Sequence, residues 1–421
     1  MVNRMTILSM KLSSVKPSQT KAMTALAASM RAEGKSIITL SQGEPDFGTP
    51  DHISRAAIAA IEAGHTKYTS VAGILPLREA VVNKFKRDNY LSFEVDEIIV
   101  GCGAKQLLYS ALVASLDEGD EVIFPTPCWV SYPEMVKLAG GAPVPVETQV
   151  ENGFIMQPDD LRQAITSKTK WLMLNSPSNP TGAVYSRSDL EALAKVVRDF
   201  PRVWVLSDDI YEHLVYGDTE FATLAQVAPD LAGRILTVNG VSKSYAMTGW
   251  RVGYAGGPLE LIKGMNTVQG QSTSHTCSIA QHASVEALNG DQAFIDTFRR
   301  VFEQRRNMVI ELLNDIPGLA CETPDGAFYA FVQCSKLLGL ITPSGKTLET
   351  DMDFAMYLME EGGVAVVPGS GFLCDGFIRI SYASSESDLR TACDGIRTAV
   401  TKLQGGSTKQ PHTEQRESRV S

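Results

Sequence analysis

Between about residues 95 and 260, short apolar runs alternate with longer amphipathic ones. That is the pattern of crossover units, in which each strand is followed by a helix that packs back on the sheet, and it commits the chain to an α/β fold with a mainly parallel sheet. The spacing predicts strands over 97–100, 121–124, 171–175, 203–207, 235–238 and 252–255, with helices over 105–115 and 189–199 among them. Upstream, 77–85 reads as a helix, and 41–50, which holds Gly43, Pro45, Gly48 and Pro50, reads as an irregular loop. From about residue 293 the pattern changes to long charged helices over 295–313, 354–361 and 387–403, with strands at 327–332, 364–367 and 377–381. A second, smaller α+β domain is the economical reading. Residues 405–421 carry almost no apolar side chains and are expected to form a disordered tail.

Composition narrows the functions. Of the 421 residues 44% are hydrophobic and 20% charged, a globular composition long enough for two domains at roughly 100 to 200 residues each. Thirty-eight Lys and Arg against 48 Asp and Glu give a net charge of −10, which opposes general attraction to nucleic acid or anionic membranes. An anionic ligand must then be met by a few placed cations. No apolar stretch approaches the roughly 18 to 20 residues that cross a bilayer, and residues 1–10 lack the order of a secretory signal, so a cytoplasmic location is expected. The seven cysteines are odd in number and scattered, as reduced structural thiols are, and the six histidines lack the H-E-x-x-H spacing. No metal site is expected.

Ligands of open α/β sheets bind beyond the carboxyl ends of the strands, and four loops there hold unusual residues. The strand ending at Val100 runs into Gly101-Cys102-Gly103-Ala104-Lys105-Gln106 and a helix, so free backbone N–H groups converge as they do on a phosphate. An ordinary strand-to-helix turn and a nicotinamide-binding turn stay open, although Gln106 replaces the third glycine of G-x-G-x-x-G. The strand ending at Leu206 delivers Ser207-Asp208-Asp209-Ile210-Tyr211-Glu212, where a carboxylate is costly to desolvate without a cation. Such an acid suits a protonated ring nitrogen or, equally, a helix N-cap. The strand ending at Val238 leads to Ser242-Lys243-Ser244 and on to Arg251. A lysine between small hydroxyl residues and among apolar groups is a candidate imine-forming amine, since burial and nearby cations lower its pKa from about 10.4, although a solvated loop lysine is the plain alternative. Asn175-Ser176-Pro177-Ser178-Asn179-Pro180-Thr181-Gly182 reads as a fixed turn presenting amide side chains, with a plain turn as the alternative.

In this order the loops resemble the fold-type I, class I aminotransferases that use pyridoxal 5′-phosphate. The likeness covers about residues 16–403 and rests on N-P-T-G, S-D-x-I-Y-E and S-K-x-x-A-M-T-G-W-R. Within the family, S-Q-G-E-P-D-F, W-V-S-Y-P-E-M and A-V-V-P-G look most like the bacterial aspartate/prephenate branch. The resemblance implies a mainly parallel seven-stranded sheet in a large cofactor-binding domain (46–292), a small domain (293–404) and an N-terminal arm (1–45) that joins the small domain. It implies that Lys243 holds the cofactor covalently and later moves a proton, that Asp208 pairs with the pyridinium nitrogen, that Tyr211 and Asn179 bond the ring oxygen, and that Trp129 stacks on the ring. The phosphate would be met by backbone groups of Gly103, Ala104 and Lys105, by Ser242 and Arg251, and by Tyr68 of the neighbouring subunit of a homodimer with shared active sites. Arg379 would clamp the substrate α-carboxylate under Gly43, a fork that lysine cannot replace. Alternation with Ile378 and Ile380 is expected to set Arg379 opposite the buried face.

Substrate choice is less fixed. The segment 268–281, where some aspartate aminotransferases place a partner arginine for the distal carboxylate, contains neither Arg nor Lys. Lys16 and Thr20 match positions the bacterial branch uses for that group or for prephenate. The leading reading is a ping-pong transaminase moving an amino group from aspartate to 2-oxoglutarate, with aromatic amino acids and prephenate as further candidates. A β-lyase or another amino-acid transaminase is its nearest rival, a nicotinamide-dependent oxidoreductase a distant one, and a transcription regulator would need an additional basic DNA-binding domain.

Overall fold

The computed structural model describes residues 7–405. Apart from Gly405, the segment expected to be a disordered tail lies outside the described residues. After β1 (Ile38–Thr39), seven strands build one sheet: β2 (Ile98–Gly101), β3 (Glu121–Thr126), β4 (Ala142–Glu147), β5 (Thr169–Asn175), β6 (Trp204–Asp208), β7 (Ile235–Gly240) and β8 (Gly253–Gly256). Their order is β2-β8-β7-β6-β5-β3-β4, and only β8 runs antiparallel to its neighbours.

β4 has no counterpart in the sequence reading. Its Pro143 and Pro145 look like strand breakers, but β4 is the edge strand and pairs with β3 alone, so the missing N–H groups cost it no second ladder. The crossover helices form for local reasons. Arg187–Asp199 starts at a capping box between Ser186 and Asp189, then buries Leu190, Leu193, Ala194 and Val197 at helical spacing. Helix Ala104–Ser115 buries Leu107, Leu108, Ala111 and Leu112, at about 1.5 to 3 kcal/mol for each fully buried leucine, and this fixes the helix N-terminus at the end of β2.

The remaining strands are β9 (Tyr329–Gln333), β10 (Val364–Ala365), β11 (Val367–Pro368) and β12 (Phe377–Ser381). β12 is the centre of an antiparallel sheet ordered β11-β12-β9, while β1 pairs in parallel with β10. The single strand expected over 364–367 therefore divides at Val366 between two sheets. The strand expected from Ala327 begins at Tyr329, because Ala327 adopts a left-handed φ of 57°. Helix Gln19–Ala32 inserts Met23, Ala27 and Met30 into the same core as Phe302, Val309, Phe354, Leu358 and Ile396. The loop over 41–50 is irregular as expected, and its Phe47 stacks on Phe298 at 3.9 Å while Asp46 takes both arms of Arg305 at 2.7 and 2.9 Å.

Candidate active site

A cavity of about 280 Å³ opens beyond the carboxyl ends of β5, β6 and β7, at the small end of the range for small-molecule sites, about 300 to 1,000 Å³. Gly43, Thr20, Ala104, Lys105, Trp129, Asn179, Asp208, Tyr211, Ser242, Lys243, Arg251 and Arg379 all line it. The four loops singled out in the sequence thus converge on one volume.

Lys243 follows β7 and donates from Nζ to the Gly43 carbonyl at 2.6 Å. Its ammonium also lies 5.7 Å from the Tyr211 ring centroid and 5.9 Å from that of Phe328. Burial, then the positive charge of Arg379, pulls its pKa down to about 8, against Glu44, which raises it. About a tenth of the amine is then neutral and nucleophilic at pH 7, far more than for an exposed lysine.

Asp208 is the last residue of β6 and is 4% exposed. Burial pushes its carboxyl up to about 6, opposed chiefly by the Tyr132 hydroxyl, which donates to Oδ2 at 2.6 Å. Oδ1 is buried without a hydrogen-bond partner in the protein. An orphaned carboxylate oxygen is expensive unless a ligand donor completes it. Asn175 fixes the strand end from the neighbouring strand, its Nδ2 donating to the Asp208 carbonyl and its Oδ1 accepting from the Asn179 amide, both at 2.8 Å.

Arg379 requires a correction. Alternation does separate it from Ile378 and Ile380, yet the opposite face is buried as well, because β12 is central and all five of its residues are buried. Its guanidinium donates to Asn179 Oδ1 at 2.9 Å and to the Ser41 carbonyl at 2.6 Å, and lies 4.4 Å from the Tyr329 ring centroid and 5.0 Å from that of Phe372. Nε is buried without a partner. A Cβ on Gly43 would run into the Tyr329 hydroxyl, which itself pairs with the Tyr211 hydroxyl at 2.7 Å.

At the other end, Gly103 caps helix Ala104–Ser115 with a φ of 87°, and a Cβ there would press on the Arg251 guanidinium. The first two amides of that helix, Ala104 and Lys105, have no carbonyl to bond within it. Arg251, held in a left-handed conformation by bonds from Nη1 to the Thr248 carbonyl at 2.9 Å and from Nη2 to the Cys102 carbonyl at 3.3 Å, adds a fixed cation beside the buried Ser242 hydroxyl.

The donor set therefore fits a flat phosphorylated pyridine aldehyde: free amides, a hydroxyl and a guanidinium for the phosphate, an unpaired acid for the ring nitrogen, Trp129 for a ring face and Lys243 for the aldehyde. Three expected residues do not line this cavity. Gly103 lies just behind it. Tyr68 is 92% exposed, its ring edge-on to His275 at 5.6 Å. Lys16 is exposed, lines a separate cavity with Pro17, Gln19 and Glu134, and is tied by its own amide to Glu134 at 2.8 Å. Residues given no role in the sequence take part as well: Tyr132, Tyr329, Glu44 and Lys21 line the main cavity, as does Asn175 of the amide-bearing turn. Tyr132 stands three residues after Trp129, and that spacing alone could have pointed to a shared wall. The Lys105 side chain is also more than a carrier of its amide, since its ammonium lies 4.8 Å from the Trp129 ring centroid with its pKa lowered by burial and by Lys21.

Residues 35–396 match the family model described as aminotransferase class I and II. The chain is 53% identical over 393 residues to a probable aspartate/prephenate aminotransferase of Rhizobium leguminosarum, covering 93% of this chain and 98% of that one. It is 52% identical to an aspartate/prephenate aminotransferase of Cereibacter sphaeroides, with the same coverage. Among solved structures, an aspartate aminotransferase from Rhizobium meliloti superposes with a TM-score of 0.92 at 50% identity, covering 95% of this chain and all of that one. An aspartate aminotransferase from Thermus thermophilus, solved with maleate, gives 0.88 at 44% identity, with 94% and 100% covered.

Proposed function

The chain belongs to the class I and II aminotransferases, and from that premise we propose that it transfers the amino group of aspartate to 2-oxoglutarate on pyridoxal 5′-phosphate, in two half-reactions. The observation that carries this reading is the meeting, in one cavity, of the Lys243 amine with its pKa near 8, the unpaired Asp208 oxygen and the buried Arg379. When bound, the cofactor supplies an aldehyde for the amino group and a ring that accepts the electron pair left as Cα loses its proton.

The chain's residues do the rest. Lys243 would hold the aldehyde and, when free, would be the base that takes the Cα proton and returns it, on the same face, at the far end of the conjugated system. Asp208 offers Oδ1 to the ring N–H while Tyr132 fixes Oδ2, so the acid cannot turn away. The Ala104 and Lys105 amides, Ser242 and Arg251 hold the phosphate, and Tyr211 and Asn179 face the ring oxygen. Arg379 binds the α-carboxylate with Asn179 and the Ser41 carbonyl holding its plane. Because Lys16 lies outside the cavity, we assign the distal carboxylate to the Lys105 ammonium, with Thr20 and Lys21 at the same wall. The maleate of the Thermus structure, a four-carbon dicarboxylate, suits that assignment.

Among the described residues, 46–292 form the cofactor domain, and 7–45 with 293–404 form the second. Two copies pair so that Tyr68 reaches the partner's phosphate, which suits its exposure and that of Ile58, Ile61 and Leu75. Seven unpaired cysteines suit a reducing compartment such as the cytoplasm. Among the described residues, no helix is long and apolar enough to cross a membrane. The test is a panel of amino donors with 2-oxoglutarate, scored for glutamate against pyruvate plus ammonia from donors that carry a β-leaving group, together with prephenate as acceptor, scored for its amino derivative. Aspartate should lead, with glutamate as product; pyruvate and ammonia in its place would make the protein a lyase.

A further inference from the structure

Behind the turn that carries Tyr211 lies a buried ionic cluster for which the reaction as described has no use. Lys84 is fully buried; its Nζ pairs with Glu212 Oε1, donates to Asn89 Oδ1 at 2.6 Å and stands 3.8 Å from Asp88 Oδ2. Asn89 Nδ2 donates to Glu212 Oε2 at 2.7 Å, and His213 Nε2 lies 3.3 Å from Glu212 Oε1 and 3.7 Å from Asp88 Oδ2. Asp88, Glu212 and His213 have the makings of a cation site, but the Lys84 ammonium already sits against Asp88 and Glu212, so the cluster contains its own cation. Burial alone would push the Glu212 carboxyl up; Lys84, then His213, outweigh it and hold it below its ordinary value.

A buried ion pair is a poor way to stabilise a fold, because well-packed apolar side chains of the same volume do as well or better. What it supplies is direction, since charge-assisted hydrogen bonds from several donors leave Glu212 one position. Glu212 directly follows Tyr211, and the turn between them and β6 is tight: the Glu212 amide donates to the Asp209 carbonyl at 3.0 Å and the Leu214 amide to the Tyr211 carbonyl at 2.8 Å. The cluster also touches the Lys243 loop, where the Tyr245 ring stands edge-on to His213 at 6.3 Å.

We infer that Lys84 and Glu212 are positioning residues, an internal ion pair that fixes the turn over 208–213 so that the Tyr211 hydroxyl meets the cofactor ring. The inference rests on the cofactor reading above. It is tested with E212Q, the apolar pair K84M/E212L, Y211F, Y211F/E212Q and K243A, measuring urea unfolding of the cofactor-free protein, affinity for pyridoxal phosphate, and the pH midpoint of the visible absorbance of the loaded protein. K84M/E212L should unfold at a urea concentration close to that of the parent, yet bind the cofactor about tenfold more weakly and move the absorbance midpoint by about half a pH unit. E212Q should weaken binding about tenfold in the parent background and less than twofold beside Y211F, because one residue acts through the other. Parent-like affinity and midpoint in either E212Q or K84M/E212L would overturn the inference. So would an equal E212Q effect in both backgrounds, or failure of both E212Q and K84M/E212L to fold, which would make the cluster a folding element. A visible band that survives K243A would instead remove the cofactor reading itself.

Discussion

Asp208 gives the site a measurable cost when no ligand completes it. Its carboxyl is lifted from 3.8 to about 6 by burial, a difference of about 3 kcal/mol between the charged and neutral forms. The folded protein holds that proton more tightly than the unfolded chain does. The penalty is therefore absent below about pH 4, grows as pH rises, and is complete above about pH 6. In D208N the amide is uncharged and its oxygen still accepts from Tyr132, so the cofactor-free variant should gain up to about 3 kcal/mol over the parent at pH 7.5 and nothing at pH 4. Urea unfolding of both proteins at pH 4, 5.5 and 7.5 measures this; distant titrating groups occur in both and cancel in the difference, while Asp209, which the Asp208 charge helps to raise, should titrate lower in the variant and add to its gain near neutral pH. With pyridoxal phosphate bound the ranking should invert, since the variant cannot offer an anion to the ring nitrogen. A stability difference that stays flat across that pH range would refute the reasoning.

Other expectations concern the cations. Capture of free pyridoxal phosphate by the cofactor-free protein needs the neutral amine, so its rate should climb to about pH 8 and then level off; a midpoint near 10 in stopped-flow absorbance would place Lys243 in solvent. R379A removes charge-assisted bonds of about 1.5 to 3 kcal/mol each and should lower kcat/KM for every amino acid by roughly 10² to 10³, with little rescue by R379K; a defect confined to dicarboxylic substrates would exchange the roles of Arg379 and Lys105. K105M keeps the amide that faces the phosphate and should lower kcat/KM for aspartate about tenfold while sparing aromatic substrates, about the worth of one exposed-to-half-buried charge contact. Equal losses on both would argue against a distal-carboxylate role.

The crossover pattern between residues 95 and 260 is what made the main sheet legible, because strands buried on both faces write short apolar runs and their regular alternation with amphipathic helices separates them from buried helix segments. β4 escaped for the converse reason: an edge strand can carry Pro143 and Pro145, and it then reads as a loop. The cavity residues that could be read are those whose chemistry is costly out of place, such as Asp208, Lys243 and Arg379. Tyr132 and Asn175 act by contact with Asp208 and Tyr329 by contact with Tyr211, through bonds spanning from 33 to 118 positions along the chain, and no local spacing records such a pairing. Lys16 and Lys21 show the same limit on a smaller scale. They sit five residues apart, and only the entry angle of helix Gln19–Ala32 decides which of them faces the cavity.

The pairing of Ile38–Thr39 with Val364–Ala365 sets an order on how the protein can be made. A ribosome delivers Met23, Ala27 and Met30 more than 300 residues before Val364 and Ile396, the neighbours that cover them, so helix Gln19–Ala32 is among the last of the described elements to find its place. The main sheet, β2 through β8, needs no strand from that segment and is free to close while synthesis continues. During that interval the apolar face of that helix has no core to cover it, and a translation product halted near residue 300 would keep it permanently, as an adhesive stripe beside an otherwise finished sheet.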